Sequence, residues 1–176
     1  MPRAQTAILI SGRGSNMAAL LSAAKSDDYP GEIALVISNN PDAAGLSHAR
    51  DNGIDTAVVD HRGRDSREDF EAKLTEVLKA ARADIVCLAG FMRLLTDSFV
   101  DEWRNKLINI HPSLLPAFKG LDTHARALAA GVRIHGATVH FVRPSMDEGP
   151  IIVQAAVPVL TDDTEQSLGD RVLEVE

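Results

Sequence analysis

Cysteine, metal-ligand spacings, long apolar runs and surplus positive charge are all missing or scarce in this chain of 176 residues. The single cysteine, Cys87, excludes an internal disulfide and any cysteine-based metal centre; within Asp84-Ile85-Val86-Cys87-Leu88 it reads as a small core hydrophobe. That usage suits a reducing compartment, the cytoplasm. The six histidines show no His-Glu-x-x-His or comparable pattern, so no metal is expected. No apolar run is long enough to span a bilayer, and Met1-Pro2-Arg3-Ala4-Gln5 enters a strand too early for a signal peptide. Lys and Arg number 18 against 25 Asp and Glu, a net charge of −7. General nucleic-acid binding is therefore disfavoured, while a local basic pocket for a small anion stays open.

What is present is a globular composition, 45% hydrophobic and 24% charged, at a length suited to one domain with a substantial core. Apolar runs rich in β-branched residues alternate with helical patterns, the signature of strand–helix–strand units and a mostly parallel α/β sheet. Strands are expected at 6–10, 33–37, 56–59, 85–88, 107–110, 137–142 and 151–157. Helices are expected at 16–25, 43–52 with Gly53 as C-cap, 66–83 from a Ser66 capping box, 123–130, and from Thr161 into Glu176. The eight residues from Arg143 to Pro150 can join the last two strands as an antiparallel hairpin. In such sheets ligands bind beyond the carboxyl ends of the strands, which directs attention to 11–16, 91–95, 111–120 and Asp147.

Two stretches there carry chemistry. In Ile108-Asn109-Ile110-His111-Pro112-Ser113-Leu114-Leu115-Pro116, strand alternation places Asn109 and His111 on one face, and Pro112 ends the ladder, leaving the imidazole at the open mouth of the sheet. A carboxamide beside an imidazole suits acyl transfer, although the same pair could equally satisfy loop backbone. Asp147 matters only if it approaches His111, where a carboxylate would favour the charged ring and manage its proton. In Ser11-Gly12-Arg13-Gly14-Ser15-Asn16, a strand passes through glycines into a helix that Ser15 and Asn16 could cap, a natural anion cradle. It lacks the Gly-Lys-Ser/Thr of a nucleoside-triphosphate loop. Met17 also occupies the place of a third dinucleotide glycine, and the second strand ends in Ser38-Asn39 rather than an acid. A phosphomonoester fits better, and a ligand-free tight turn is the alternative. Of the other histidines, His48 and His61 read as surface residues, His135 and His140 as satisfied within or beside a strand, and His124 as able to face the crevice. Arg67 and Arg93 could anchor a carboxylate.

Together, Ile8 to Asn16, Leu88-Ala89-Gly90-Phe91-Met92-Arg93, Asn109 to Pro116 and Asp147-Glu148-Gly149-Pro150-Ile151-Ile152 closely resemble the folate-dependent phosphoribosylglycinamide formyltransferase family of purine biosynthesis, over nearly the whole chain. The resemblance implies a Rossmann-like formyltransferase fold, a mostly parallel twisted sheet with helices on both faces, and a single domain over 1–176 that lacks part of the C-terminal helix and tail. It implies Asn109, His111 and Asp147 as the catalytic trio. Gly14, Ser15, Asn16 and Glu176 would bind glycinamide ribonucleotide. Arg67, Met92, Arg93, Leu94, Leu95, Asn109, Arg143, Pro144, Ser145, Met146 and Asp147 would bind 10-formyltetrahydrofolate, the co-substrate. The expected state is a cytoplasmic monomer or homodimer without metal, nucleic acid or membrane partners. Arg13 replaces an Asn of some relatives, and the 143–146 loop departs from better-known members. The competing readings are a 10-formyltetrahydrofolate hydrolase, whose relatives usually carry a regulatory domain before the catalytic one, and a non-catalytic nucleotide-binding module. Formyl transfer to methionyl-tRNA is disfavoured by the acidity and a missing RNA-binding extension.

Overall fold

A computed structural model describes residues 3–176, which form two units, 3–107 and 108–176. In the first unit, strands β1 (Ala4–Ile10), β2 (Gly31–Ser38), β3 (Thr56–Val58) and β4 (Ile85–Leu88) lie side by side in the order β3-β2-β1-β4, each pair parallel. They are joined through helices α1 (Ser15–Ala23), α2 (Ala44–Asp51) and α3 (Arg67–Ala80). A strand covered on both faces reads as an unbroken apolar run, and Ala7, Ile8, Leu9 and Ile10 of β1 are all fully buried. Ile8, Ile10, Met17, Leu21, Val36 and Leu46 form one cluster, against which Leu20, Ala24 and Cys87 pack. Burial pushes the Cys87 thiol up to about 11, so it behaves as the inert core residue its setting suggests.

Three local expectations shift. Asn52, not Gly53, caps α2; Gly53 follows in a left-handed conformation and donates its N–H to the Arg50 carbonyl. Helix α3 stops at Ala80, because Arg82 turns to φ +52° and cannot continue it. A short helix, α4 (Asp97–Glu102), was not anticipated. Its six residues are too few for a periodic pattern, and Thr96 caps it by accepting the Phe99 N–H.

In the second unit, β5 (Leu107–His111), β6 (Ile134–Phe141) and β7 (Ile151–Pro158) are antiparallel neighbours, confirming the hairpin near the C-terminal side. Helix α5 (Thr123–Ala129) lies between β5 and β6, and α6 (Glu165–Leu173) follows β7. The last helix starts later than Thr161 and ends before Glu176. Thr164 and Ser167 form a capping box that fixes its first turn, and Asp163 in front of it is locked by Arg171 at 2.7 and 2.8 Å. That arginine holds the Asp163 carboxyl far below the usual carboxylate range. Ala127, Ala137, Val157, Leu168 and Val172 make the apolar core here. No helix among the described residues is long and apolar enough to cross a membrane.

Candidate active site

The polar ends of the parallel strands are wired together in the first unit. Ser11 donates to Asn39 Oδ1 at 2.6 Å while its own Oγ accepts the Met92 N–H at 2.8 Å, so one hydroxyl ties the ends of β1 and β2 to the segment after β4. Asn39 is buried and lies against His61, whose Nδ1 is 2.9 Å from the Asn39 carbonyl. The second strand therefore ends in an internally satisfied amide, and His61 is half-buried rather than a surface residue.

The glycine loop departs from expectation in one respect. Neither Ser15 nor Asn16 caps α1; the cap is Gly14 itself, at φ +74°, without a side-chain bond. The early amides of α1 thereby have no side-chain cap. The loop is held by Gly45, whose N–H donates to the Gly12 carbonyl at 3.1 Å and whose Cα leaves room for the turn. A Cβ at Gly45 would lie 2.6 Å from Ile10 Cδ1 and 3.2 Å from the carbonyls of Gly12 and Arg13.

Downstream, Met92 is 73% and Leu94 62% exposed on a ribbon pinned at both ends. One end is the Met92–Ser11 bond; at the other, Thr96 donates both its N–H, at 2.7 Å, and its hydroxyl to Glu71. Glu71 is buried in α3, a role that a search for apolar periodicity passes over. Arg67 and Arg93 are exposed.

The second unit brings Asn109, His111 and Asp147 together. Asn109 pairs directly across from His140, and His111 across from Thr138. Pro112 ends the strand as expected, but His111 is only 6% exposed, not at an open mouth. Its Nδ1 lies 3.4 Å from Asp147 Oδ2, and its Nε2 lies 3.0 Å from the Phe118 carbonyl. A carbonyl only accepts, so Nε2 carries the hydrogen of that bond and Nδ1 is the nitrogen that can exchange a proton with the carboxylate. Asp147 sits in the β6–β7 turn at φ +55°, its Oδ2 accepting the Gly120 N–H at 2.9 Å and its Oδ1 3.7 Å from His140 Nε2. Behind the trio, Thr138 Oγ1 donates to the Ser113 carbonyl and accepts from Leu115 N–H and from Gln154, fixing the segment after His111.

Of the remaining expected residues, Arg143 is half-buried, donates to the Val142 carbonyl and lies over the Phe141 ring, whereas Pro144, Ser145 and Met146 are exposed. His135 belongs to β6 rather than preceding it, and its Nε2 is 3.2 Å from His124 Nδ1. Burial first, then His124, push His135 down to about 4, against the pull of the Pro112 carbonyl. Glu176 lies half-buried near His124, where its charge partly offsets the desolvation that lowers that ring. No group of three or more metal-ligating side chains occurs among the described residues.

With this geometry in place, similarity to known proteins decides the family. The family profile described as "Formyl transferase" matches residues 4–176. The chain belongs to the formyl transferase family. It is 45% identical over 165 residues to a phosphoribosylglycinamide formyltransferase from Escherichia coli strain K12, covering 94% of this chain and 78% of that protein. It is 51% identical to the trifunctional purine biosynthetic protein adenosine-3 of Drosophila melanogaster, of which it spans only 13%. A crystal structure of glycinamide ribonucleotide transformylase 1 from Symbiobacterium toebii superposes with a TM-score of 0.95 at 47% identity, covering 98% of this chain and 82% of that one. A formyltetrahydrofolate deformylase from Burkholderia mallei is more distant, with 31% identity, a TM-score of 0.89 and 61% of that chain covered. The formyl transferase resemblance and the α/β fold read from the motifs are both borne out.

Proposed function

We propose that this chain, as a formyltransferase domain over residues 1–176, moves the formyl group of 10-formyltetrahydrofolate to the glycyl amine of glycinamide ribonucleotide. The observation that carries the reading is the 3.4 Å approach of Asp147 to His111, on the strand that also bears Asn109. The amine nitrogen attacks the formyl carbon and a tetrahedral oxyanion forms. The bond from that carbon to N10 of the folate then breaks, and N10 takes a proton as tetrahydrofolate leaves. Asn109 Nδ2 has two hydrogens; one points to His140 at 3.3 Å, and the other is available to the oxyanion. His111, once its Nδ1 is protonated and turned from Asp147, supplies a second donor. Asp147 takes up the proton the amine must lose and gives it up again for N10 as the carbon–N10 bond breaks, so the side chain ends as it began.

Gly14, Ser15 and Asn16 would grip the ribonucleotide phosphate through backbone N–H groups, and Glu176 would contact the ribonucleotide. The uncapped start of α1 supports the phosphate role. Formyl-folate would be held by Arg67, by Met92, Arg93, Leu94 and Leu95, and by Arg143, Pro144, Ser145, Met146 and Asp147. The exposed Met92, Leu94 and Met146 supply apolar surface for a flat ring, and the arginines supply charge for its carboxylates.

The test is to supply 10-formyltetrahydrofolate with and without glycinamide ribonucleotide and to follow tetrahydrofolate release. Release that requires the ribonucleotide and yields its formylated product supports the transferase. Equal release without it points to the deformylase chemistry of the Burkholderia relative. In the transferase, His111→Ala lowers turnover by about 10²–10⁴-fold, the range for losing an acid–base group, while ribonucleotide binding survives.

A further inference from the structure

One buried histidine and one glycine, neither of which touches a substrate in the scheme above, hold the key carboxamide. His140 is 2% exposed and lies directly opposite Asn109 in the antiparallel register of β5 and β6. Its Nδ1 is 3.1 Å from the carbonyl of Phe141, and its Nε2 is 3.3 Å from Asn109 Nδ2. The carbonyl cannot donate, so the hydrogen of the first contact belongs to Nδ1. In a neutral ring Nε2 is then a bare lone pair; among the described residues Asn109 Nδ2 at 3.3 Å is the one hydrogen-bond partner within reach, while Asp147 Oδ1 stands off at 3.7 Å, beyond hydrogen-bond distance. Of the two ends of the Asn109 side chain, Nδ2 satisfies that lone pair and Oδ1 would be repelled by it. Burial favours the neutral ring, pushing His140 below its ordinary value against the opposing pull of the Phe141 carbonyl and Asp147.

The Phe141 carbonyl is available for this because of Gly149. A Cβ at position 149 would lie 1.6 Å from the Phe141 oxygen, so no side chain fits there without moving that carbonyl. The backbone also shifts register between Val139 and His140, where His140 comes opposite Ile151, and the Phe141 N–H donates to the Pro150 carbonyl. Asp147-Glu148-Gly149-Pro150 thus does two things. It presents a carboxylate to His111, and through the bare Cα of Gly149 it admits the carbonyl that sets the His140 tautomer.

We propose that His140 is a positioning residue, held as its Nδ1–H tautomer by the Phe141 carbonyl beside Gly149, and that it fixes the Asn109 carboxamide with Nδ2 in the donor position used in formyl transfer. The proposal rests on the transferase reading for its kinetic consequence but not for its structural one.

His140→Leu removes the acceptor, and turnover falls by about 10- to 100-fold with the KM values of both substrates little changed, a part of the 10²–10³-fold typical of deleting an oxyanion donor outright. His140→Gln, whose Oε1 can accept from Asn109, keeps turnover within about threefold of the parent. In an Asn109→Ala background, His140→Leu has no further effect on turnover, because the two act as one unit. A folded His140→Leu protein with parental turnover overturns the proposal, as does an equal loss in the Leu and Gln variants. Where the Leu variant does not fold, nitrogen NMR of the parent protein at neutral pH decides: an unprotonated Nε2 at His140 coupled to an Asn109 side-chain proton is expected, and a protonated Nε2 overturns it. Undiminished turnover in Asn109→Ala alone rejects the catalytic reading of Asn109 instead, and the NMR result stands apart from it.

Discussion

The two units solve the burial problem differently. In the first, long side chains such as Ile8, Ile10, Met17, Leu46, Leu74 and Leu78 fill the interior, and the buried polar side chains are few and scattered, Ser38 and Asn39 at a strand end, Thr6 in β1 and Glu71 in α3. In the second, His111, Ser113, Thr123, His135, Thr138 and His140 are all buried, and much of the interior is a hydrogen-bonded polar network beside a small apolar cluster. Apolar packing is forgiving of exchanges that keep volume, whereas a polar network is costly once any member loses its partner. The first unit should therefore answer to volume and the second to individual atoms.

Four measurements can break or sharpen that contrast. The largest effect belongs to Asp147→Asn, which is nearly isosteric but loses the charge that faces His111. Turnover is expected to fall by about 10²–10⁴-fold with the thermal midpoint little moved. A parental rate would mean that the charge is a bystander. Next is Leu74→Ala in the first unit, fully buried in α3, expected to cost about 2–5 kcal/mol in denaturant unfolding while turnover per folded molecule stays near parental. Gly45→Ala is intermediate, because overpacking against Ile10 and two carbonyls costs about 1–3 kcal/mol. Under the proposed function it should also raise the KM for glycinamide ribonucleotide, since the Gly12 turn must give way; an unchanged KM would separate that turn from the proposed ribonucleotide site.

The last measurement is a pH dependence, which is seen only in acid. His135 is held at about 4 against an ordinary 6.5, so as acidity rises the unfolded chain takes up the proton before the folded one does. Its contribution to stability is complete above about pH 6.5 and drains away towards pH 4. Unfolding free energy measured across that window should slope less in His135→Phe than in the parent. An identical slope would remove His135 from the account.

Much of this was legible in the residues. Val, Ile and Leu runs bounded by glycine located the strands, because burial on both faces leaves no polar positions. Asn109, His111 and Asp147 could be named because proline and glycine around them make the segment specific. Other features depend on contacts between residues distant in sequence. Glu71 lies among α3 positions that look apolar, and only Thr96, 25 residues on, explains it. The ring of His140 looked like ordinary interior filling, since the strand register that sets it against Asn109 is invisible in the chain itself. Ser15 and Asn16 looked like caps because their chemistry permits it, and the left-handed Gly14 took the position instead.

The ribbon from Met92 to Leu95 is strung between two anchors, Ser11 at its start and Glu71 through Thr96 at its end. With both ends already fixed, a planar guest laid along it, as proposed for formyl-folate, has less of the segment left to order on arrival. Cutting either tether, by Ser11→Ala or Glu71→Gln, should slacken the string and lengthen the time a guest needs to settle, even though neither side chain would ever meet it.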